Sequence, residues 1–170
     1  LFRSSFTYVK ANLTVVPADG LIVQAGTQSI TYGNSPNYSG ATAQYLFNGT
    51  PTSLPITIVG NAISITDGAG AVITGNITPN NPAISSSGNL SVGNYSLGVS
   101  NFYNQSLNFN SMTAIGGLTV TPKTIALSSL GISGVTKVYD GNTNMTNLAL
   151  SANPSALVAG DVLNVTGAGS

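Results

Sequence analysis

The chain has no cysteine, no histidine and no glutamate, and charged residues make up only 5% of it. Without cysteine, neither disulfides nor thiolate metal sites are available. Without histidine, cysteine and glutamate, the usual catalytic triads and zinc centres cannot be assembled. Ordinary soluble domains carry about a quarter of their residues as charges. Here the charges are Arg3, Lys10, Asp19, Asp67, Lys123, Lys137, Asp140 and Asp161, with a net charge of zero. A neutral chain lacks the basic footprint that nucleic acid or an anionic membrane would require, so neither is an expected partner. No window approaches the roughly 20 continuous apolar residues of a membrane helix, which argues against membrane insertion. Leu1-Phe2-Arg3-Ser4-Ser5 is not a basic segment leading into an apolar one, so any targeting signal is expected upstream.

The apolar material is ample. Hydrophobic residues account for 42% of the chain and mean hydropathy is +0.27, enough to build a core. Serine, threonine and asparagine must then supply solubility in place of lysine and glutamate. Such a surface gives little long-range repulsion between copies. It suits a tethered, stacked or polymerised protein.

Leu13-Thr14-Val15-Val16-Pro17 returns as Leu118-Thr119-Val120-Thr121-Pro122, about one small-domain length further on. Ser5-Phe6-Thr7-Tyr8-Val9 leads into the first copy as Leu107-Asn108-Phe109-Asn110-Ser111 leads towards the second. The repeat divides the chain into the last strands of a preceding unit (1–18), a whole module (19–122) and the first part of another (123–170). Proline directly after a strand ends pairing and stiffens the exit. Junctions this short predict a semi-rigid rod.

Sustained helical periodicity is absent, whereas alternation at period two recurs. Ile56-Thr57-Ile58-Val59 and Ala62-Ile63-Ser64-Ile65-Thr66 alternate apolar and hydroxyl residues as on half-buried strands. Further strands are expected at 13–16, 21–24, 29–32, 43–47, 71–74, 95–99, 106–109, 118–121, 124–127, 136–139 and 163–166. Turn dipeptides such as Asn48-Gly49 and Asp67-Gly68 separate them, and 78–89 reads as the longest exposed loop. The expected architecture is all-β: tandem antiparallel, immunoglobulin-like sandwich modules, with a β-grasp-like module as the alternative.

Several segments resemble a known pair of repeat families. Val135-Thr136-Lys137-Val138-Tyr139-Asp140-Gly141-Asn142-Thr143, followed by Leu157-Val158-Ala159-Gly160-Asp161, resembles the YDG repeat. Ile30-Thr31-Tyr32-Gly33-Asn34-Ser35-Pro36 resembles the start of the MBG repeat, Val92-Gly93-Asn94-Tyr95-Ser96-Leu97 its later strand, and Leu118 to Pro122 its closing strand. The middle of that unit, residues 54–78, follows neither pattern, and the YDG-like unit stops before its expected second half. The resemblance implies large bacterial surface adhesins and haemagglutinin-like secreted filaments. It implies an extracellular structural or adhesive role, and no enzyme activity.

The residues themselves offer little chemistry. Asp140 and Asp161 could pair as acid and base for glycoside hydrolysis, but Asp140-Gly141 and Asp67-Gly68 read more simply as turns. Asp140-x-Asn142-x-Asn144 has the early spacing of a calcium loop, but Met145 and Ser151 stand where glycine and an acid are needed. Lys10, Lys123 and Lys137 could form isopeptide crosslinks only beside a buried acid, and Lys123 and Lys137 read instead as solvated edge charges. No metal or other cofactor is expected.

Asn12, Asn37, Asn48, Asn76, Asn89, Asn94, Asn104, Asn144 and Asn164 all stand in Asn-x-Ser/Thr. Composition accounts for much of this; Asn48 and Asn89, in predicted turns, are the foremost candidates for glycosylation. Tyr32, Tyr95 and Tyr139 read as core or corner tyrosines, while Tyr38 and Tyr103, flanked by asparagine and serine, read as exposed contacts. The expected function is a structural or filament-forming module that associates with itself or with neighbouring repeats. The alternative is an adhesin that recognises host glycan or protein.

Overall fold

A computed structural model describes residues 20–132, 138–142, 145–163 and 165–169. The expected strands before Gly20, together with Lys10, Asn12 and Lys137, lie outside the described residues. The first sheet has eight strands: β1 (Leu21–Thr31), β2 (Thr42–Phe47), β3 (Thr50–Leu54), β4 (Ile56–Val59), β5 (Ala62–Thr66), β6 (Val72–Pro79), β7 (Gly93–Asn104) and β8 (Met112–Thr121). Their spatial order is β3-β2-β1-β8-β7-β6-β5-β4. All neighbours are antiparallel except β1 and β8, which run parallel from Leu21↔Met112 to Thr31↔Thr121.

The two edges of this sheet, β3 and β4, are separated in the chain by Pro55 alone. A one-residue link forces the edges together, so the sheet curls into a nearly closed barrel. Where two facing sheets were expected, one continuous sheet forms. Pairing of the first strand with the last makes the difference, and sequence alternation does not encode it.

Alternation does encode which face turns inward. In β6, Ile73, Gly75 and Ile77 are buried between half-exposed Thr74, Asn76 and Thr78. Ile63 and Ile65 of β5 and Leu118 and Val120 of β8 join them in the core. Burying each of these isoleucines stabilises the fold by roughly 1.5–3 kcal/mol. In β1 the phase changes: Leu21, Val23 and Ala25 face inward, and beyond a bulge at Gly26 the half-buried positions are Gln28 and Ile30. Gly26 adopts φ +70°, the left-handed value such a bulge requires. Opposite it, a Cβ on Gly116 would lie 2.2 Å from the Gly26 carbonyl oxygen, so no side chain fits where β1 and β8 meet.

Two expected strands, and the described end of a third (136–139, whose first two residues lie outside the described residues), are not strands. Residues 106–109 form a turn, because the Asn104 and Ser106 side chains accept the Ser106 and Asn108 backbone N–H groups and bend the chain. Residues 124–127 lead into a 3-10 turn (Leu127–Ser129), Pro122 having ended the pairing of β8. Val138 and Tyr139 lie outside any strand, each 90% exposed, ahead of the Asp140 turn in which Asn142 N–H donates to Asp140 Oδ1. A second, three-stranded antiparallel sheet has the order β11-β10-β9: β9 (Leu130–Ile132), β10 (Met145–Ala152) and β11 (Val165–Gly169). The β10–β11 connection contains a 3-10 turn (Pro154–Ala156) and returns over the barrel at Val158 to Asp161.

Candidate functional site: a polar clasp between the sheets

Tyr32 directly follows β1, and the chain turns there, with Asn34 N–H donating to Thr31 O (3.0 Å). The loop between β6 and β7 folds back on itself. Ser85 N–H donates to Asn89 O (2.8 Å), Ser91 N–H to Ala83 O (2.8 Å), and Ile84 bridges Leu90. This small hairpin presents Ser85, Ser87 and Asn89 towards Tyr32. From the second sheet's long connection comes Asp161, held in a turn by its N–H donating to Val158 O (3.0 Å).

Tyr32 O–H and Ser87 O–H both reach Asp161 Oδ1, Tyr32 at 2.9 Å. Tyr32 Oη also lies 2.9 Å from Ser85 Oγ and 3.1 Å from Ser87 Oγ. A hydroxyl has one proton, and a bond to a carboxylate is stronger than one to another hydroxyl. The Tyr32 and Ser87 protons therefore go to Asp161, and Ser85 donates to the Ser87 oxygen (2.9 Å). Asn89 completes the set: its Nδ2 donates to Ser87 Oγ (3.0 Å) and its backbone N–H to Ser85 Oγ (3.2 Å). Each of the three hydroxyl protons then has one acceptor.

Packing around the clasp is equally close. Gly33 has φ +89°, and a Cβ there would lie 2.6 Å from Val158 Cγ2. A Cβ on Gly160 would lie 3.0 Å from Ser87 Cβ. Chemically, the arrangement holds two parts of the chain in one orientation.

A second carboxylate sits elsewhere in the barrel. Asp67 is one of two buried polar side chains among the described residues, Ser106 being the other. Its Oδ1 accepts Ala69 N–H (2.9 Å) and Ala71 N–H (2.8 Å), while Oδ2 accepts Ser106 O–H and Asn108 Nδ2 (2.9 Å). The Ser106 hydrogen bond, with those of Asn108, Ala71 and Ala69, holds its carboxyl below the ordinary aspartate value against the opposing effect of burial.

The structure brings Tyr32 and Gly33 together with Gly160 and Asp161, two motifs that the sequence placed in different units. Tyr95 closes a corner, its O–H donating to Ser91 O (2.7 Å), and Gly93 lies against its ring. Asp140 and Gly141 form an exposed turn. Two tyrosine readings are corrected. Tyr38 is 1% exposed, not a surface contact: its neighbours Asn37 and Ser39 stay outside while the loop directs Tyr38 into the core. Tyr139 is neither core nor corner, because the Asp140 turn carries it into solvent. Tyr103 is 60% exposed.

Asn48 is exposed in the β2–β3 turn at φ 49°, whereas the Asn89 amide is half-buried and already committed to Ser87. The clasp serines were not singled out from sequence. The signal they carried is a spacing shared by both carboxylate sites: Ser87-Gly88-Asn89 serves Asp161 and Ser106-Leu107-Asn108 serves Asp67. Among the described residues, no group of three or more acidic, histidine or cysteine side chains could hold a metal, and no helix is long and apolar enough to cross a membrane.

Residues 121–170 match the YDG domain family. Comparison with curated proteins and with solved structures gives no match.

Proposed function

We propose that this chain is a structural segment of a multi-module bacterial surface or secreted filament protein, without catalysis of its own, in which adjoining modules are locked at a fixed angle. The observation that carries the reading is the clasp. Tyr32 and Asp161, 129 residues apart, share a hydrogen bond that ties the barrel to the connection of the second sheet. The repeated Leu-Thr-Val strand ending in proline, the MBG-like motifs and the YDG match support a tandem array. An extracellular setting fits a chain with no cysteine and almost no charge. In this reading the residues before Asp19 belong to a preceding repeat and Lys123 begins the next.

Spin labels at Thr50→Cys and Ser155→Cys, introduced into a chain that has no cysteine, test it by pulsed electron resonance. A single narrow distance is expected, broadening markedly with Asp161→Ala. A broad distribution in the parent chain would remove the rod.

A second reading, an adhesin that contacts glycan, is favoured by one feature. Thr57, Ser64, Thr74 and Tyr103 are successive cross-strand partners over β4, β5, β6 and β7, forming one row that ends in an exposed aromatic ring. Glycan-array binding that Tyr103→Ala abolishes would establish it; an array without signal would leave the rod alone.

A further inference from the structure

The second sheet repeats the opening of the first. β9, β10 and β11 form an antiparallel meander in the order β11-β10-β9, as β1, β2 and β3 do in the order β3-β2-β1. Each first strand also follows a Leu-Thr-Val-x-Pro stretch, β1 after Pro17 and β9 after Pro122. The two sheets differ at the next position. β1 has β8 on its other side, parallel to it from Leu21↔Met112 to Thr31↔Thr121. Among the described residues, β9 pairs with β10 alone. An uncovered edge strand offers a row of backbone N–H and C=O groups to a segment whose pattern fits.

The chain itself carries such a segment. β8 leads into Leu118-Thr119-Val120-Thr121-Pro122, the stretch that recurs at Leu13–Pro17. Aligned on that recurrence without a gap, the whole of β8 falls on residues 7–16, which lie outside the described residues. At the places of buried Ala114, Leu118 and Val120 stand Val9, Leu13 and Val15. The outward positions from Thr113 to Thr119 fall on Tyr8, Lys10, Asn12 and Thr14, so the alternation that fixes a strand's inner face is kept. One position sets the two segments apart. Ala11 stands where β8 has Gly116, and a Cβ at Gly116 would lie 2.2 Å from the Gly26 carbonyl oxygen. Residues 7–16 therefore do not fit in place of β8 beside β1, and β9 is the first strand left to them.

We propose that residues 7–16 of one copy of this chain add in parallel to the free edge of β9 in a second copy, taking there the place that β8 takes beside β1. The copy's own segment does not reach. Val16 is tied to Leu21 by a link that spans at most about 17 Å. The clasp holds the connection of the second sheet beside Tyr32, past the other end of the 11-residue β1, about 35 Å away. Donor and acceptor are different surfaces, so the contact is head-to-tail and propagates instead of stopping at a symmetric dimer. Each junction between copies then repeats the order of elements within a chain, a Leu-Thr-Val strand followed by proline and the next unit. The proposal rests on the tandem-repeat reading and deepens it by naming the strand that joins one chain to the next.

Sedimentation velocity of the 170-residue chain over a concentration series tests the proposal. The parent chain should form a concentration-dependent ladder of oligomers. Leu13→Asp combined with Val15→Asp puts two charges on the inner face of the donor and should weaken association about tenfold or more. A synthetic peptide of residues 7–17 in excess should cap the acceptor and reduce the ladder to monomers, and the same peptide with both aspartates should not. Hydrogen exchange on the double variant locates the contact, since the unaltered peptide should protect the amides of Leu130–Ile132. A parent chain that stays monomeric throughout overturns the proposal. So does a ladder that the double variant leaves unchanged, or a peptide that leaves the β9 amides unprotected. The spin-label distance within one chain is read on the double variant, so the rod reading stands or falls independently of these results.

Discussion

Asp67 and Asp161 are bound by nearly the same parts, a serine hydroxyl directly and an asparagine two residues further on, yet they serve opposite ends. Asp67 takes the asparagine amide itself and adds two backbone N–H groups, all from loops of one barrel, and it is buried. Asp161 leaves the asparagine to support the serine, takes a tyrosine hydroxyl instead, and remains half-exposed. A carboxylate surrounded by backbone donors fixes a loop. One met by side-chain hydroxyls of another unit fixes an orientation. The same short motif thus acts within a barrel in one case and between sheets in the other, and burial decides which.

The comparison is broken most forcefully at Asp67. Asp67→Ala leaves the buried Ser106 hydroxyl without its acceptor, frees the Ala69 and Ala71 N–H groups from theirs, and should destabilise the barrel by about 3 kcal/mol, measured by denaturant unfolding. The acid profile sharpens the point. Because the folded carboxyl lies below its ordinary value of 3.8, its contribution is complete above that pH and is lost as pH falls through the folded value. The parent chain should lose stability on acidification below about pH 4, and Asp67→Ala should lack that component.

Gly33→Ala should have an intermediate effect. The left-handed φ costs about 1–2 kcal/mol with a side chain present, and the new Cβ displaces Val158. Both unfolding and the spin-label distance should change. Asp161→Ala should cost the least, about 1 kcal/mol, with its main effect on the width of the distance distribution. Equal destabilisation by the two aspartate substitutions would erase the distinction drawn between them.

Much of the barrel could be read from sequence because its signal is local. Ile56-Thr57-Ile58-Val59 and Ala62 to Thr66 alternate visibly, and both are strands over those residues. The pairing of the first strand with the last is not local. Nothing near Leu21 indicates that it pairs with Met112, and the parallel pairing only exists once the whole barrel has formed. Tyr38 misleads for a related reason: polar neighbours suggest exposure, but its environment comes from strands far away in the chain. At the candidate site, Tyr32, Gly33, Gly160 and Asp161 stood out as motif residues, while their convergence and the serines between them did not. Hydroxyls are so common in this chain that two more carried no contrast.

The parallel pairing of β1 with β8 has a mechanical consequence. The chain enters the barrel at Leu21 and leaves at Thr121, which lie at opposite ends of two neighbouring strands. Tension applied along the backbone pulls these strands lengthwise past each other. The load then falls on the whole ladder from Leu21↔Met112 to Thr31↔Thr121 at once, in shear, and cannot peel the pairs apart one by one. The barrel is thus loaded in shear along the axis on which its own chain would be pulled, with the Gly26 and Gly116 backbones in close approach midway.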